Sequence, residues 1–356
     1  MGSSVLPKRV CLLPRLSGVG GMVSFQKRLV SGLAKRGVEV TYDVRDRPYR
    51  AVLVIGGTRQ LLGLSRAKQR GVPVVQRLDG MNWIHRLPAQ DGGLRTGLRH
   101  FLRAEYGNLI LATIRSRLAS TIVYQSEFSR LWWETMRGPA PGEWRVVYNG
   151  VDLQLFQPAG PERPPTDRCR VLLVEGSLMG GYELGVDTAV ALAGKLAEML
   201  PEGGKVELAI AGRVTEQLRT DWNQRLPQAA PGVTLTWLGN VPGEQIPAID
   251  RSAHLLYSAD VNPACPNSVI EALACGLPVL AYNTGALAEL VQGEAGRIVP
   301  YGGNPWKLEW PDVPALAQAA LELYRGQERS RNAARQRAEA RFGLDTMIDS
   351  YLQVLL

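Results

Sequence analysis

Short apolar runs recur along this chain, each followed by a helical stretch, and the series runs twice. In the first series Val10–Leu13, Val38–Tyr42, Ala51–Ile55, Val72–Gln76, Thr121–Tyr124 and Arg145–Tyr148 read as strands. Met22–Lys35, Gln60–Gln69 and a segment opening near Ser126 read as helices, with Gly37 at a helix stop. Then Phe156-Gln-Pro-Ala-Gly-Pro-Glu-Arg-Pro-Pro165 places four prolines in ten residues, the composition of a linker. The pattern restarts with strands at Arg170–Val174, Val206–Ala211, Thr234–Leu238, His254–Tyr257 and Pro278–Ala281. Helices fill the gaps, including Val186–Met199, Thr215–Leu226 and Ser268–Ala274; an Ala- and Arg-rich helical region follows over Val313–Arg341, then an amphipathic tail, Leu344–Leu356. Alternation at this spacing predicts an α/β chain of two doubly wound domains facing each other across a cleft. Such folds bind ligands at the carboxyl ends of their strands.

The length of 356 residues suits two domains, and a hydrophobic content of 45% supplies two cores. No apolar run approaches the roughly 20 residues that span a bilayer, and Val10-Cys-Leu-Leu-Pro14 is too short for a signal-peptide core. Four scattered cysteines and three histidines give no metal-ligand spacing, so the expectation is reduced thiols, no metal site and a cytoplasmic protein. The net charge of +8 is uneven: residues 1–150 hold 24 Lys+Arg against 9 Asp+Glu, while the remainder holds 17 against 24. A basic half implies an anionic partner, such as anionic lipid or a phosphorylated acceptor. No recognised nucleic-acid motif accompanies it, and the expectation is no nucleic acid.

Asn262–Val279 is the segment richest in chemistry. A turn-rich loop opens onto an amphipathic helix, Gly276 stops the helix, and a buried strand follows. Helix N-termini bind anions through first-turn N–H groups and the positive end of the dipole. Glu271, one turn in, is a carboxylate able to accept two hydrogen bonds from a sugar diol. The same residues also spell a capping box, Ser268-Val-Ile-Glu271, which would turn the carboxylate back to the helix start. Near the other end of the chain, Gly18, Gly20 and Gly21 lie between a strand and a helix; this is either a tight turn or a backbone approach to phosphate.

Four segments carry a family resemblance, in order along nearly the whole chain: Gly18-Val-Gly-Gly-Met22, Tyr124-Gln-Ser-Glu-Phe-Ser129, Val147-Tyr-Asn-Gly-Val-Asp152, and Pro266–Val279 with Gly285 and Glu289 beyond. The chain resembles the retaining, two-domain (GT-B) glycosyltransferases of family 4. The resemblance implies an acceptor-side Rossmann-like domain over 1–155, with the tail 342–356 packing back on it. It further implies a linker over 156–166 and a nucleotide-sugar-binding Rossmann-like domain over 167–341. The activity implied is transfer of a sugar from a nucleoside diphosphate to a hydroxyl of a glycan, lipid or small acceptor. It requires no metal or cofactor. Donor contacts fall on Glu271 (ribose), the amides around Asn267, Ser268 and Val269 (diphosphate), Gly20, Gly21 and Glu289. A chain with this fold that has lost transfer and serves as a binding or scaffold protein is the alternative.

Three departures from the family pattern stand out. The sugar-contacting Glu expected eight residues before Glu271 is Pro263. The Arg and Lys expected on the diphosphate are Ser177 and Leu184, with Arg213 in Ala211-Gly-Arg-Val a compensating cation. The cleft His expected before Gly80 is Asp79, which becomes the catalytic candidate, either bonding the sugar or steadying charge at the anomeric carbon; the rival role is an ordinary Asp-Gly turn. Arg77 beside it and Asn149 at the domain junction are acceptor or phosphate candidates. Arg95, Arg99 and Arg103 recur every fourth residue on one helix face, which suits either solvent or an anionic membrane surface contacted peripherally. Tyr182, Trp237 and Tyr257 suit either core packing or stacking on a base.

Overall fold

The computed structural model describes residues 8–18, 20–88, 97–179, 183–201 and 204–356. They form two compact units, residues 1–150 with 344–356 and residues 151–343.

The first unit contains β1 (Arg9–Leu13), α1 (Gly21–Lys35), β2 (Glu39–Thr41), β3 (Ala51–Ile55), α2 (Leu61–Gln69), β4 (Val74–Leu78), α3 (Gly97–Thr113), β5 (Thr121–Tyr124), α4 (Glu127–Arg137) and β6 (Glu143–Val146). Its sheet is parallel throughout, in the order β2-β1-β3-β4-β5-β6. All five residues of β3 and of β4 are buried, the pattern of a parallel sheet covered on both faces. Ser126 caps α4 by accepting the Ser129 N–H at 3.0 Å.

The second unit contains β7 (Cys169–Ser177), α5 (Leu184–Met199), β8 (Val206–Arg213), α6 (Glu216–Ala229), β9 (Val233–Gly239), α7 (Ile246–Arg251), β10 (Leu255–Ser258), α8 (Asn267–Ala274), β11 (Val279–Tyr282), α9 (Leu287–Leu290), β12 (Gly296–Val299), α10 (Val313–Arg325) and α11 (Gln327–Arg341). Its parallel sheet runs β12-β11-β10-β7-β8-β9. Leu173, Val190, Leu192, Leu208, Leu316 and Leu323 belong to the core that joins α5 and α10 to one face.

The final helix, α12 (Leu344–Leu355), belongs to the first unit. Met347, Ile348, Tyr351 and Leu355 are buried with Phe25, Leu29 and Leu33 of α1, and the Phe25 and Tyr351 rings lie 5.3 Å apart. The proline-rich stretch belongs to the second unit. Arg251 pairs with Glu162 at 2.7 Å and donates to the Gln157 carbonyl, while Arg335 donates to the Phe156 carbonyl at 2.8 Å. Those buried-side bonds hold as ordered chain what composition alone reads as a linker. The helical region after Val313 is two helices, broken at Gly326.

Among the described residues no helix is long and apolar enough to cross a membrane. Ile348 is fully buried. Ile348→Ala should therefore cost the first unit about 2–5 kcal/mol, read as an earlier denaturant midpoint. An unchanged midpoint would show that α12 contributes nothing to that core.

Candidate functional site

In a doubly wound sheet the crevice opens where the strand order reverses, outside the carboxyl ends. In the second unit that point lies between β7, which leads outward to β8, and β10, which leads the other way to β11. Ser177 ends β7 and is paired in register with Arg213 at the end of β8. The exposed Arg213 guanidinium donates to the Gly176 carbonyl at 3.3 Å. The cation suggested as compensation thus stands beside the serine that replaces the expected one. Gly212 lies at φ 149°, and a Cβ there would collide with the Glu175 carbonyl, so only glycine permits this close approach. Leu184 is the first residue of α5; Tyr182 lies outside the described residues.

After β10 the chain turns through Asn262, whose φ is 57°, and enters α8. Pro266 is the residue before the helix, with φ −68° and ψ 125°, and no side chain caps it. Ser268 is already the second helical residue, so the capping box does not form, and Glu271 sits one turn into the helix, 9% exposed. Pro263 is buried; its carbonyl accepts the Ala286 N–H at 2.8 Å, and it packs so closely on Gly285 (φ 57°) that a Cβ there has no room. The position of the family's sugar-contacting Glu has become a packing contact between two loops. Glu289 lies in α9, partly buried, and its carbonyl accepts from Arg337 of α11. Trp237 is half-buried with its Nε1–H on Asn223, whereas Tyr257 is buried with its hydroxyl 3.0 Å from that of Thr188; both are packed against the core of this unit.

Three acids around this crevice, Asp250 buried and Glu175 and Asp260 half-buried, escaped the sequence reading. Glu175 lies near the carboxyl end of β7, and Asp260 follows the adjacent strand β10 by two residues. Burial pushes Asp260 up to about 6. Burial and then the Asp260 charge push Glu175 well above the ordinary carboxylate range. Asp250 of α7 is 1% exposed; burial first, and the neighbouring Glu271 charge second, push it well up too. The one signal available was a charged residue ending an apolar run, in Val174-Glu and Ser258-Ala-Asp. Among the described residues no group of three or more His, Cys, Asp and Glu is arranged to hold a metal ion.

In the first unit the order reverses between β1 and β3. The loop after β1 is held by Gln26, which accepts the Leu16 N–H and donates to the Pro14 carbonyl, both at 2.9 Å. Gly18 and Gly20 lie at φ 92° and 139°, with open space where a Cβ would point; Gly20 precedes α1 and Gly21 begins it. Arg77, at β4, is 2% exposed. Its Nη2 donates to Asn149 Oδ1 at 2.8 Å and its guanidinium carbon lies 3.8 Å from the Phe25 ring centre. Its Nε and Nη1 have no hydrogen-bond partner among the described residues. Asn149 is itself buried and reaches Gln125, so these two candidates meet inside the unit. Asp79 follows β4, its carbonyl accepting from Trp133 Nε1–H at 2.7 Å and from Ser129 Oγ–H at 3.1 Å. Gly80 packs against the Trp132 ring with no room for a Cβ, which fixes the backbone beside Asp79. Burial raises the Asp79 carboxyl, partly offset by Arg77. Arg95 lies outside the described residues; Arg99 and Arg103 are exposed on α3.

Residues 170–326 match the model of the family described as glycosyl transferases group 1. D-inositol 3-phosphate glycosyltransferase 1 of Catenulispora acidiphila is 24% identical over 256 residues, which cover 68% of this chain. The chain spans 58% of the length of that curated relative. Sucrose-phosphate synthase from Thermosynechococcus elongatus superposes with a TM-score of 0.70 at 16% identity, covering 97% of this chain and 98% of its own. Anabaena HepE, crystallised with UDP and glucose, superposes with a TM-score of 0.65 at 16% identity, covering 98% and 99%. The likeness shows that this chain shares their two-domain α/β fold.

The raised Asp260 sets a pH prediction. An unfolded Asp loses its proton near 3.9, and the folded one near 6. Between those values the native state binds the extra proton, so the Asp260 contribution to stability is present at the acid end and lost as pH rises through about 6. Asp260→Asn should thus raise the unfolding temperature relative to the parent more at pH 7.5 than at pH 4.5. An equal shift at both pH values would mean that Asp260 carries no such burden.

Proposed function

We propose that the chain is a retaining glycosyltransferase that moves a sugar from a nucleoside diphosphate to a hydroxyl of a glycan, lipid or small acceptor. The observation that carries this reading is the placement of α8, Glu271, Ser177 and Arg213 around the strand-order reversal of the second unit. There the second unit holds the donor and the first the acceptor.

Glu271 accepts the ribose hydroxyls, since a carboxylate takes two hydrogen bonds from a diol. The amides around Asn267, Ser268 and Val269 take the diphosphate, aided by the positive end of the α8 dipole. Arg213 supplies the charge that Ser177 and Leu184 do not, stabilising the leaving diphosphate as its bond to the sugar lengthens. No metal ion is invoked. Gly20 and Gly21 give a phosphate close access to the backbone at the α1 terminus. Asp79 is the carboxylate assigned to the transferring sugar; ionised, it steadies positive charge growing at the anomeric carbon. Arg77 beside it favours that ionised form. The leaving phosphate takes the acceptor proton on the face it vacates, which retains configuration.

Calorimetry of the intact chain with UDP, GDP and ADP, followed by a screen for hydrolysis of their sugar conjugates, tests the reading. Binding with turnover supports it; no nucleotide binding removes it; binding without turnover assigns the chain to ligand binding alone. Glu271→Gln should weaken the nucleotide that binds by roughly ten- to a hundredfold, the range for hydrogen bonds to a charged group, with the fold intact by circular dichroism. Asp79→Asn should lower kcat by about a hundredfold or more while nucleotide affinity stays unchanged. Equal losses in both quantities would make Asp79 a structural residue alone.

A further inference from the structure

Helix α3 turns two polar residues, Glu105 and Asn108, toward the protein. Asn108, 1% exposed, accepts the Asn82 N–H at 3.0 Å and donates to the Asn82 carbonyl at 2.9 Å. Glu105 accepts from Arg86 through both oxygens and lies 2.8 Å from His85 Nε2, and the Phe101 ring stands edge-on to His85. These anchors fix the rotation of the helix. Four apolar residues then point outward: Leu98, Leu102, Tyr106 and Leu109 are 63%, 58%, 51% and 58% exposed, while Ile110 turns into the core.

Their spacings of four, four and three place the four side chains in one row, about 17 Å long at 1.5 Å per residue. Scattered single leucines need no explanation, but a contiguous row marks an interaction surface. We propose that this outer face of α3 docks on an anionic phospholipid bilayer, lying in the interface rather than crossing it.

The charge beside the row chooses the occupant. Arg99 and Arg103 are exposed along its flank. Glu105 is the one acid of α3, and it is paired with Arg86 and hydrogen-bonded to His85 on the inner side. The face therefore offers apolar side chains and cations with no carboxylate, which is the composition of an interfacial helix on anionic headgroups. The excess of 24 basic over 9 acidic residues in positions 1–150 extends the same sign of charge over that half of the chain. The surface stands apart from the donor reading and does not depend on it.

The test uses the full chain and sedimented vesicles of phosphatidylcholine with about 30% phosphatidylglycerol, a surface negative enough to recruit arginines. The parent should partition onto them, less so at high salt and less so onto pure phosphatidylcholine. Leu98→Ser with Leu102→Ser and Leu109→Ser should lower partitioning by about tenfold or more. Because those side chains are exposed, the unfolding temperature and the UDP or GDP titration should not change. Arg99→Gln with Arg103→Gln should lower binding and flatten its salt dependence. Parent protein left in the supernatant at low salt, or a serine variant that binds as the parent does, overturns the proposal. A parent that ignores vesicles but self-associates in sedimentation velocity, with the serine variant monomeric, also overturns it and gives the face to a second copy of the chain.

Discussion

A parallel strand buried on both faces leaves only its ends for chemistry, and everything functional in this chain follows from where those ends diverge. In the second unit β7 and β10 are neighbours whose connections leave in opposite directions. The gap between those departures collects groups from separate stretches of sequence: Glu175 and Ser177 from one strand, Asp260 and the loop to α8 from the other, Arg213 from a third. The first unit repeats the device between β1 and β3, where the glycine loop enters α1.

The second unit keeps that geometry while changing the chemistry at its edges. Pro263 and Gly285 form a loop-to-loop contact where the family resemblance implies a sugar contact. Ser177 has removed one cation, and Arg213 stands on the adjoining strand. Buried and half-buried acids have accumulated around the same crevice, and desolvation raises their carboxyls. A neutral carboxyl donates a hydrogen bond where a carboxylate would repel a phosphate, so the raised Glu175 and Asp250 are compatible with an anionic ligand, while Asp260 gives up its proton above about 6.

Much of the architecture was legible in the sequence because continuous apolar runs have few alternatives. Ala51–Ile55 and Thr121–Tyr124 are strands over the same residues that the pattern marks. Strands with a polar or charged side chain blurred the signal. β12, Gly-Arg-Ile-Val, lies at a sheet edge and went unread, while β6 begins two residues before its expected place because its exposed residues alternate poorly. β7 runs past Val174 to Ser177, since Gly212 allows the neighbouring strand to follow it. At the site, Glu271 and α8 were legible from the helix signal, but Ser268 was not the cap, because the loop delivers Pro266 to that position. Glu175 and Asp260 could not be paired from sequence, as only the adjacency of β7 and β10 brings them together. The depth of Arg77 was equally hidden: nothing local says that a guanidinium will stack on Phe25 of a different element.

The packing of α12 gives the chain an order of assembly. The second unit is an insertion between Gly150 and Leu344 of the first. Synthesis from the N-terminus therefore completes every residue of the inserted unit before the first unit receives Met347, Ile348, Tyr351 and Leu355. Until then Phe25, Leu29 and Leu33 have lost their cover, and the nascent first unit exposes an apolar helix face of the kind that aggregates or recruits chaperones. The domain written second is the one able to fold first on the ribosome, and the domain written first must wait for its last helix.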